Sequence, residues 1–266
     1  MKDASHTLSP KLDAPVISRN LFFPQPAWSA PVARDGVHDA LIPVEPGVCI
    51  GARYHVGDQQ APCILFFHGN GETVDDYDDT ALVYARLGLN FLPADYRGYG
   101  TSTGQPSVGA MLRDAHAVFE HTRDWLKREG CTGPLVVMGR SLGSASALEL
   151  AEGYPEEIDG LIIESGFAHS QTILNLVGID MEQAGIAESE AFRHLEKIGG
   201  FKRPTLIIHA EHDELLPFAD GQALHAASGA KDKLLLMIPR AGHNDIFYVG
   251  GSTYLKAIGD FTARLR

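Results

Sequence analysis

The sequence predicts an α/β fold, a mostly parallel sheet with helices on both faces, and three observations predict it. From Pro62 onward, six short apolar runs of strand length alternate with segments of helical periodicity. Each run is nearly continuous in apolar residues, the pattern of strands covered on both faces. A Gly-x-Ser-x-Gly pattern falls where the third run gives way to a helical segment. The 266 residues suit one domain of this class, which at that size buries roughly 75% of the surface its unfolded chain exposes.

Before about Ala61 the chain carries Pro10, Pro15, Pro24, Pro26, Pro31, Pro43 and Pro46. Proline disfavours helices and suits extended arms or edge strands. We therefore expect an N-terminal extended arm (about 1–45) making an antiparallel approach to the sheet, with LFFP and GVCIGARYHV as its strands. The six runs follow in order: CILFFHG, NFLPADY, PLVVMGR, GLIIES, PTLIIHA and KLLLMIP.

Helices are expected over 75–87, 108–128 and 142–153, with a last one from about Thr253 to Leu265. In the longest, Met111, Leu112, Ala115, Val118, Phe119 and Leu126 recur at intervals of three and four, which gives a sheet-facing stripe. The stretch of about 170–202, mixed in polarity and lying between GLIIES and PTLIIHA, breaks the alternation and reads as a small helical lid insertion. Its Ile173, Leu174, Leu176, Val177, Ile179 and Met181 would form an apolar roof suited to an acyl substrate, or simply pack the insertion down.

Acidic residues outnumber basic ones by 34 to 22, a net charge of −12, which argues against nucleic acid or an anionic membrane surface as partner. Cys49, Cys63 and Cys131 show no CxxC spacing, so neither a disulfide framework nor a zinc site is suggested. MKDASHTLSPKLDAP has no apolar signal core, and no run approaches the roughly 18 apolar residues of a transmembrane segment. A cytoplasmic location is the resulting expectation; the sequence sets no oligomeric state.

The chemistry centres on Gly139-Arg140-Ser141-Leu142-Gly143, between PLVVM and SASALELA. At such a strand-to-helix junction the serine sits on a tight, strained turn, and glycines on either side avoid collision with strand and helix. A serine hydroxyl is a poor nucleophile at neutral pH and needs a base, which in turn needs a group to hold its tautomer. Downstream, Asp213 follows PTLIIHA in HAEHDELLP and His243 follows KLLLMIP in RAGHND, both in loops after expected strands. Glu164, Glu211, Glu214 and Asp245 are rival acids, and His68, His169, His209, His212 and His225 rival bases. Asp213 and His243 are preferred for their places after the last two runs.

With HGNGE, DYRGYG, GRSLG, HAEHDELLP and AGHND standing in that order from about Ala61 to the C-terminus, the chain resembles the α/β-hydrolase superfamily. Within it, HGN, DYRGYG and GHND are similar to a small-cap group that includes protein-depalmitoylating and acylglycerol-cleaving enzymes. The resemblance implies the α/β-hydrolase fold and a Ser141, Asp213, His243 triad. It also implies an oxyanion hole in which the Asn70 N–H of His68-Gly69-Asn70-Gly71-Glu72 joins the Leu142 N–H. The Asn70 side chain is an alternative donor. His68 is expected to support that loop from beneath, and Asp95-Tyr96-Arg97-Gly98-Tyr99-Gly100 to tie the sheet's end together, unless Tyr96 or Tyr99 touches substrate. Arg140 either orients an acidic substrate group or pairs with a nearby carboxylate.

The expected activity is hydrolysis of an ester-like acyl bond in a small-molecule or acyl substrate through an acyl-enzyme, with no metal or organic cofactor. Aminopeptidase or thioesterase chemistry on the same triad, and a non-enzymatic binding module, remain open alternatives.

Overall fold

The computed structural model describes residues 8–27 and 35–265. Among them, eight strands form one sheet in the order β1-β2-β4-β3-β5-β6-β7-β8. β1 (Val37–Glu45) and β2 (Val48–His55) form an antiparallel hairpin, and β2 lies antiparallel against β4 (Asn90–Ala94). The other neighbours are parallel: β4 with β3 (Cys63–Phe67), β3 with β5 (Leu135–Arg140), then β6 (Gly160–Glu164), β7 (Thr205–Ala210) and β8 (Lys233–Ile238). These six parallel strands are the six apolar runs. Alternate side chains feed two cores: Ile64 and Phe66 of β3 pack on one face, Cys63, Leu65 and Phe67 on the other.

The first of those faces is covered by α2 (Asp78–Arg86) and α9 (Ile246–Ala263), through Ala81, Tyr84, Tyr254, Ile258 and Phe261. The other is covered by α3 (Val108–Arg128), whose Leu112, Ala115, Val118 and Phe119 are the expected stripe, and by α4 (Ser144–Gly153). α8 (Phe218–Ala227) packs on β7 and β8; its sequence FADGQALHAA offers too few large apolar residues at helical spacing to be read in advance. α9 starts before the expected Thr253, because Gly251, at φ +45°, interrupts the periodicity between its two segments. No helix among the described residues is long and apolar enough to cross a membrane.

The N-terminal expectation is corrected in part. Of the arm over about 1–45, residues 1–7 and 28–34, with Pro31, lie outside the described residues. LFFP is not a strand: Leu21 closes the helix α1 (Pro15–Leu21), which follows a 3-10 turn over Pro10–Asp13. Pro10 and Pro15 each open their turn, where the missing N–H needs no partner and the fixed φ suits a helix start. Leu12, Ile17, Leu21 and Phe22 are buried in the core, so this segment is packed down. β1 went unread because it is an edge strand with polar residues and Pro43 inside it.

Within the 170–202 stretch, α5 (Ser170–Asn175), α6 (Met181–Ala184) and α7 (His194–Gly200) are short helices joined by turns. Leu174 and Met181 are buried in the main core, whereas Leu176 is 47% exposed.

Candidate active site

The three residues expected to carry the chemistry converge at the carboxyl ends of parallel strands, where open α/β sheets bind ligands. Ser141 follows β5 at once, Asp213 follows β7, and His243 follows β8. Ser141 has φ +51°, a left-handed conformation that strains a residue with a side chain. Its flanking glycines are required by close approach. A Cβ on Gly139 would lie 2.4 Å from the Gly143 carbonyl oxygen, and one on Gly143 would lie 2.1 Å from that of Phe67.

His243 Nε2 is 2.9 Å from Ser141 Oγ, and its Nδ1 is 2.9 and 2.8 Å from the two carboxylate oxygens of Asp213. A carboxylate only accepts, so Nδ1 carries the donated proton and Nε2 turns a lone pair to the hydroxyl. Asp213 Oδ1 also accepts from Leu215 N (3.0 Å) and Leu216 N (2.7 Å), and its side chain is fully buried. Burial alone would push the Asp213 carboxyl up. The hydrogen bond and charge of His243, with the Leu216 N–H, outweigh it and hold the carboxyl below its ordinary value.

The rival acids have other partners. Glu164 is fully buried, accepts from Arg140 Nε at 3.1 Å and from the Tyr254 hydroxyl, and burial pushes its carboxyl up against the pull of Arg140. Glu214 accepts from His243 N (3.1 Å), Asp245 from Gly242 N (2.8 Å) and Glu211 from Arg240 N (2.8 Å), so these three shape the loop that carries His243. His209 is a neighbour of the acid, its Nε2 lying 2.8 Å from the Leu216 carbonyl and 3.6 Å from Asp213 Oδ2.

Asn70 and Leu142 line the same cavity as Ser141 and His243. The Asn70 side chain faces elsewhere. Its Oδ1 accepts from Tyr99 Oη (2.6 Å) and Phe23 N (3.0 Å), and its Nδ2 donates to the Leu21 carbonyl (2.7 Å). Beneath the loop, buried His68 sits 3.1 Å from Asp95 and 2.8 Å from the Gly69 carbonyl. Burial disfavours its charge, but Asp95 and Gly69 raise its pKa above the ordinary value. Tyr96 Oη donates to the His68 carbonyl at 2.6 Å, and Arg97 forks onto Asp114 at 2.6 and 2.8 Å and reaches Glu45 at 2.6 Å. The DYRGYG loop is thus bound to the sheet's end, and its tyrosines hold the loop of Asn70.

The cavity over Ser141 measures about 340 Å³. Ile173, Leu176 and Val177 of the 170–202 stretch line it, opposite Leu21 and Phe23 of the N-terminal segment. This second wall was missed from the sequence. Its polar contacts run through the side chains of Asn70 and Tyr99, which carry no periodic signal.

Residues 58–184 match the family model described as serine aminopeptidase, S33. The chain is 26% identical over 215 residues to the α/β hydrolase domain-containing protein WAV2 of Arabidopsis thaliana, covering 74% of this chain and 68% of that one. It is 30% identical over 208 residues to the lysophosphatidylserine lipase ABHD12 of Xenopus tropicalis, covering 70% of this chain and 52% of the lipase. The fold superposes on the Pyrococcus furiosus esterase Pf2001 with a TM-score of 0.72 at 17% identity, over 91% of this chain and 98% of that one. The chain belongs to the α/β-hydrolase superfamily. This hydrolase spans about half the length of the Xenopus lipase, and the likeness to the esterase speaks for the fold.

Proposed function

We propose that this α/β-hydrolase is a serine hydrolase that cleaves an ester-like acyl bond. The observation that carries the reading is the chain of short contacts from Asp213 through His243 to Ser141, on a serine held at φ +51°. Ser141 attacks the acyl carbonyl as His243 Nε2 takes its proton. The tetrahedral oxyanion is held by the backbone N–H groups of Asn70 and Leu142, donors fixed before reaction and worth roughly 10²–10³ in rate each. His243 then protonates the leaving group, and water, deprotonated by the same imidazole, cleaves the acyl-enzyme. Asp213 keeps the imidazole in its working tautomer and stabilises its charged form.

The cavity favours an acyl group over a free amine. Its lining includes Leu21, Phe23, Leu142, Ile173, Leu176, Val177 and Leu215, and no carboxylate among the described residues. Burying an ammonium there without a partner would be costly, which weighs against the aminopeptidase alternative. An alkyl fluorophosphonate should label the wild-type protein and leave Ser141→Ala unlabelled; a folded wild type that resists labelling would overturn the reading. p-Nitrophenyl esters, acyl thioesters and aminoacyl amides, compared by kcat/KM, test the scissile bond, with the esters expected to lead.

A further inference from the structure

Arg140 stands immediately before Ser141 and is 8% exposed. Its guanidinium gathers four partners from three other segments. Nη2 donates to the His243 carbonyl at 3.1 Å and to Asn244 Oδ1 at 3.2 Å, Nε donates to Glu164 at 3.1 Å, and Nη1 donates to Glu72. Glu72 spends its other oxygen on Gly69 N (2.7 Å) and Tyr77 Oη (2.6 Å). One planar cation therefore joins the serine's own turn to the base loop and, through Glu72, to the loop of Asn70.

We propose that Arg140 is a positioning residue for this hydrolase: its fork fixes the carbonyl of His243 and, through Glu72, the Asn70 loop, so that Nε2 stays on the Ser141 hydroxyl. The proposal rests on the triad reading above. Arginine suits the task because its donors leave in fixed directions, whereas a lysine ammonium is a point charge that cannot span the His243 carbonyl and two carboxylates at once. Both nearby carboxylates are consumed in this pairing. Glu72 is held below its ordinary value despite burial, chiefly by the Arg140 charge.

The groups facing His243 are Asp213 on its ring, Glu214 on its backbone N–H, His209 beyond Asp213, and Glu164 and Glu72 on the far side of Arg140. Removing the guanidinium charge leaves two carboxylates less compensated on that far side. The Glu72 and Glu164 carboxylates then lose the fork that ties them to the His243 loop.

The experiment compares wild type, Arg140→Lys, Arg140→Ala and Ser141→Ala on p-nitrophenyl butyrate, with circular dichroism and thermal unfolding as the check of fold. Arg140→Lys keeps a cation in place and is the variant expected to fold in any event. Both Arg140 variants should lose kcat by roughly 10–100-fold, the scale of a small misplacement of reacting groups, with KM changed less than about threefold. Millimolar guanidinium should restore part of the kcat of Arg140→Ala and none of that of Ser141→Ala. A folded Arg140→Lys with kcat near wild type overturns the proposal, as does a rise in KM at constant kcat, which would make Arg140 a substrate contact. If Ser141→Ala keeps wild-type turnover, the triad reading fails instead, and the two failures are told apart.

Discussion

Asp213 presents both carboxylate oxygens to His243 Nδ1, at 2.8 and 2.9 Å, while the N–H groups of Leu215 and Leu216 hold it from the other side. The acid thus meets the imidazole in one orientation. The arrangement sets a tautomer: a proton on Nδ1 leaves Nε2 free to accept from Ser141.

Asp213→Asn tests that role with little change in shape. An amide can turn its NH₂ to Nδ1 and so favour the wrong tautomer, which should lower kcat by roughly 10³–10⁴-fold. KM should change little, since Asp213 does not line the cavity. Steady-state kinetics with thermal unfolding as control is the measurement. A variant within tenfold of wild-type kcat would mean that another group orients His243.

The turn that carries Ser141 depends on Gly143. The hypothetical Cβ, 2.1 Å from the Phe67 carbonyl oxygen and 2.7 Å from that of His68, meets backbone that cannot rotate away. Gly143→Ala should therefore cost about 1–3 kcal/mol in stability, the range of overpacking in a tight core. Urea unfolding gives that number. Activity should fall with it, because β3 and the loop of Asn70 must give way first.

Specificity should follow the two walls of the cavity. Leu176→Ala and Phe23→Ala each remove apolar surface that a longer acyl chain would cover, while both residues are more than a third exposed, so folding should tolerate the change. Discrimination between long and short esters in kcat/KM should drop by roughly 10-fold or more, at about 1–3 kcal/mol per lost pocket contact. An equal effect on acetate and octanoate esters would place the acyl chain elsewhere.

The sequence was most legible where local and global demands coincide. PLVVMGR had to be a buried strand by composition, and Gly139 and Gly143 had to flank a strained serine, so β5 and the turn after it could be read together. It was least legible where function depends on side chains from distant segments. Nothing in the spacing says that Asn70 turns its amide to Leu21 and Phe23, or that Arg140 meets the His243 carbonyl. The proline-rich start misled for a related reason. Proline excludes a helix interior but welcomes a helix start, and Pro10 and Pro15 occupy starts.

The last prediction concerns pH and His194, which lies outside the site. Its ring is fully buried against Phe167, Nδ1 donates to the Phe167 carbonyl at 2.7 Å, and Nε2 has no partner among the described residues. Burial, with help from the charge of Lys197, pulls its pKa from 6.5 down to about 3. The unfolded chain therefore binds a proton here from about pH 6.5 downward, while the folded chain refuses it until about pH 3. Unfolding takes up protons across that window, so stability falls as pH drops through it and is insensitive to this group above it. His209 and His121 are also lowered and act in the same sense, whereas His68 is raised and opposes them. Glu149, lowered to about 2 against burial by His116 and Lys197, adds the same sign only below about pH 4.5. His194→Asn keeps a donor for the Phe167 carbonyl but cannot titrate. Urea unfolding at pH values from about 4.5 to 8 should show it less stable than wild type at the alkaline end, yet with a shallower loss towards acid. Parallel curves would show that His194 is protonated in the folded protein and that its burial is not the source of acid sensitivity.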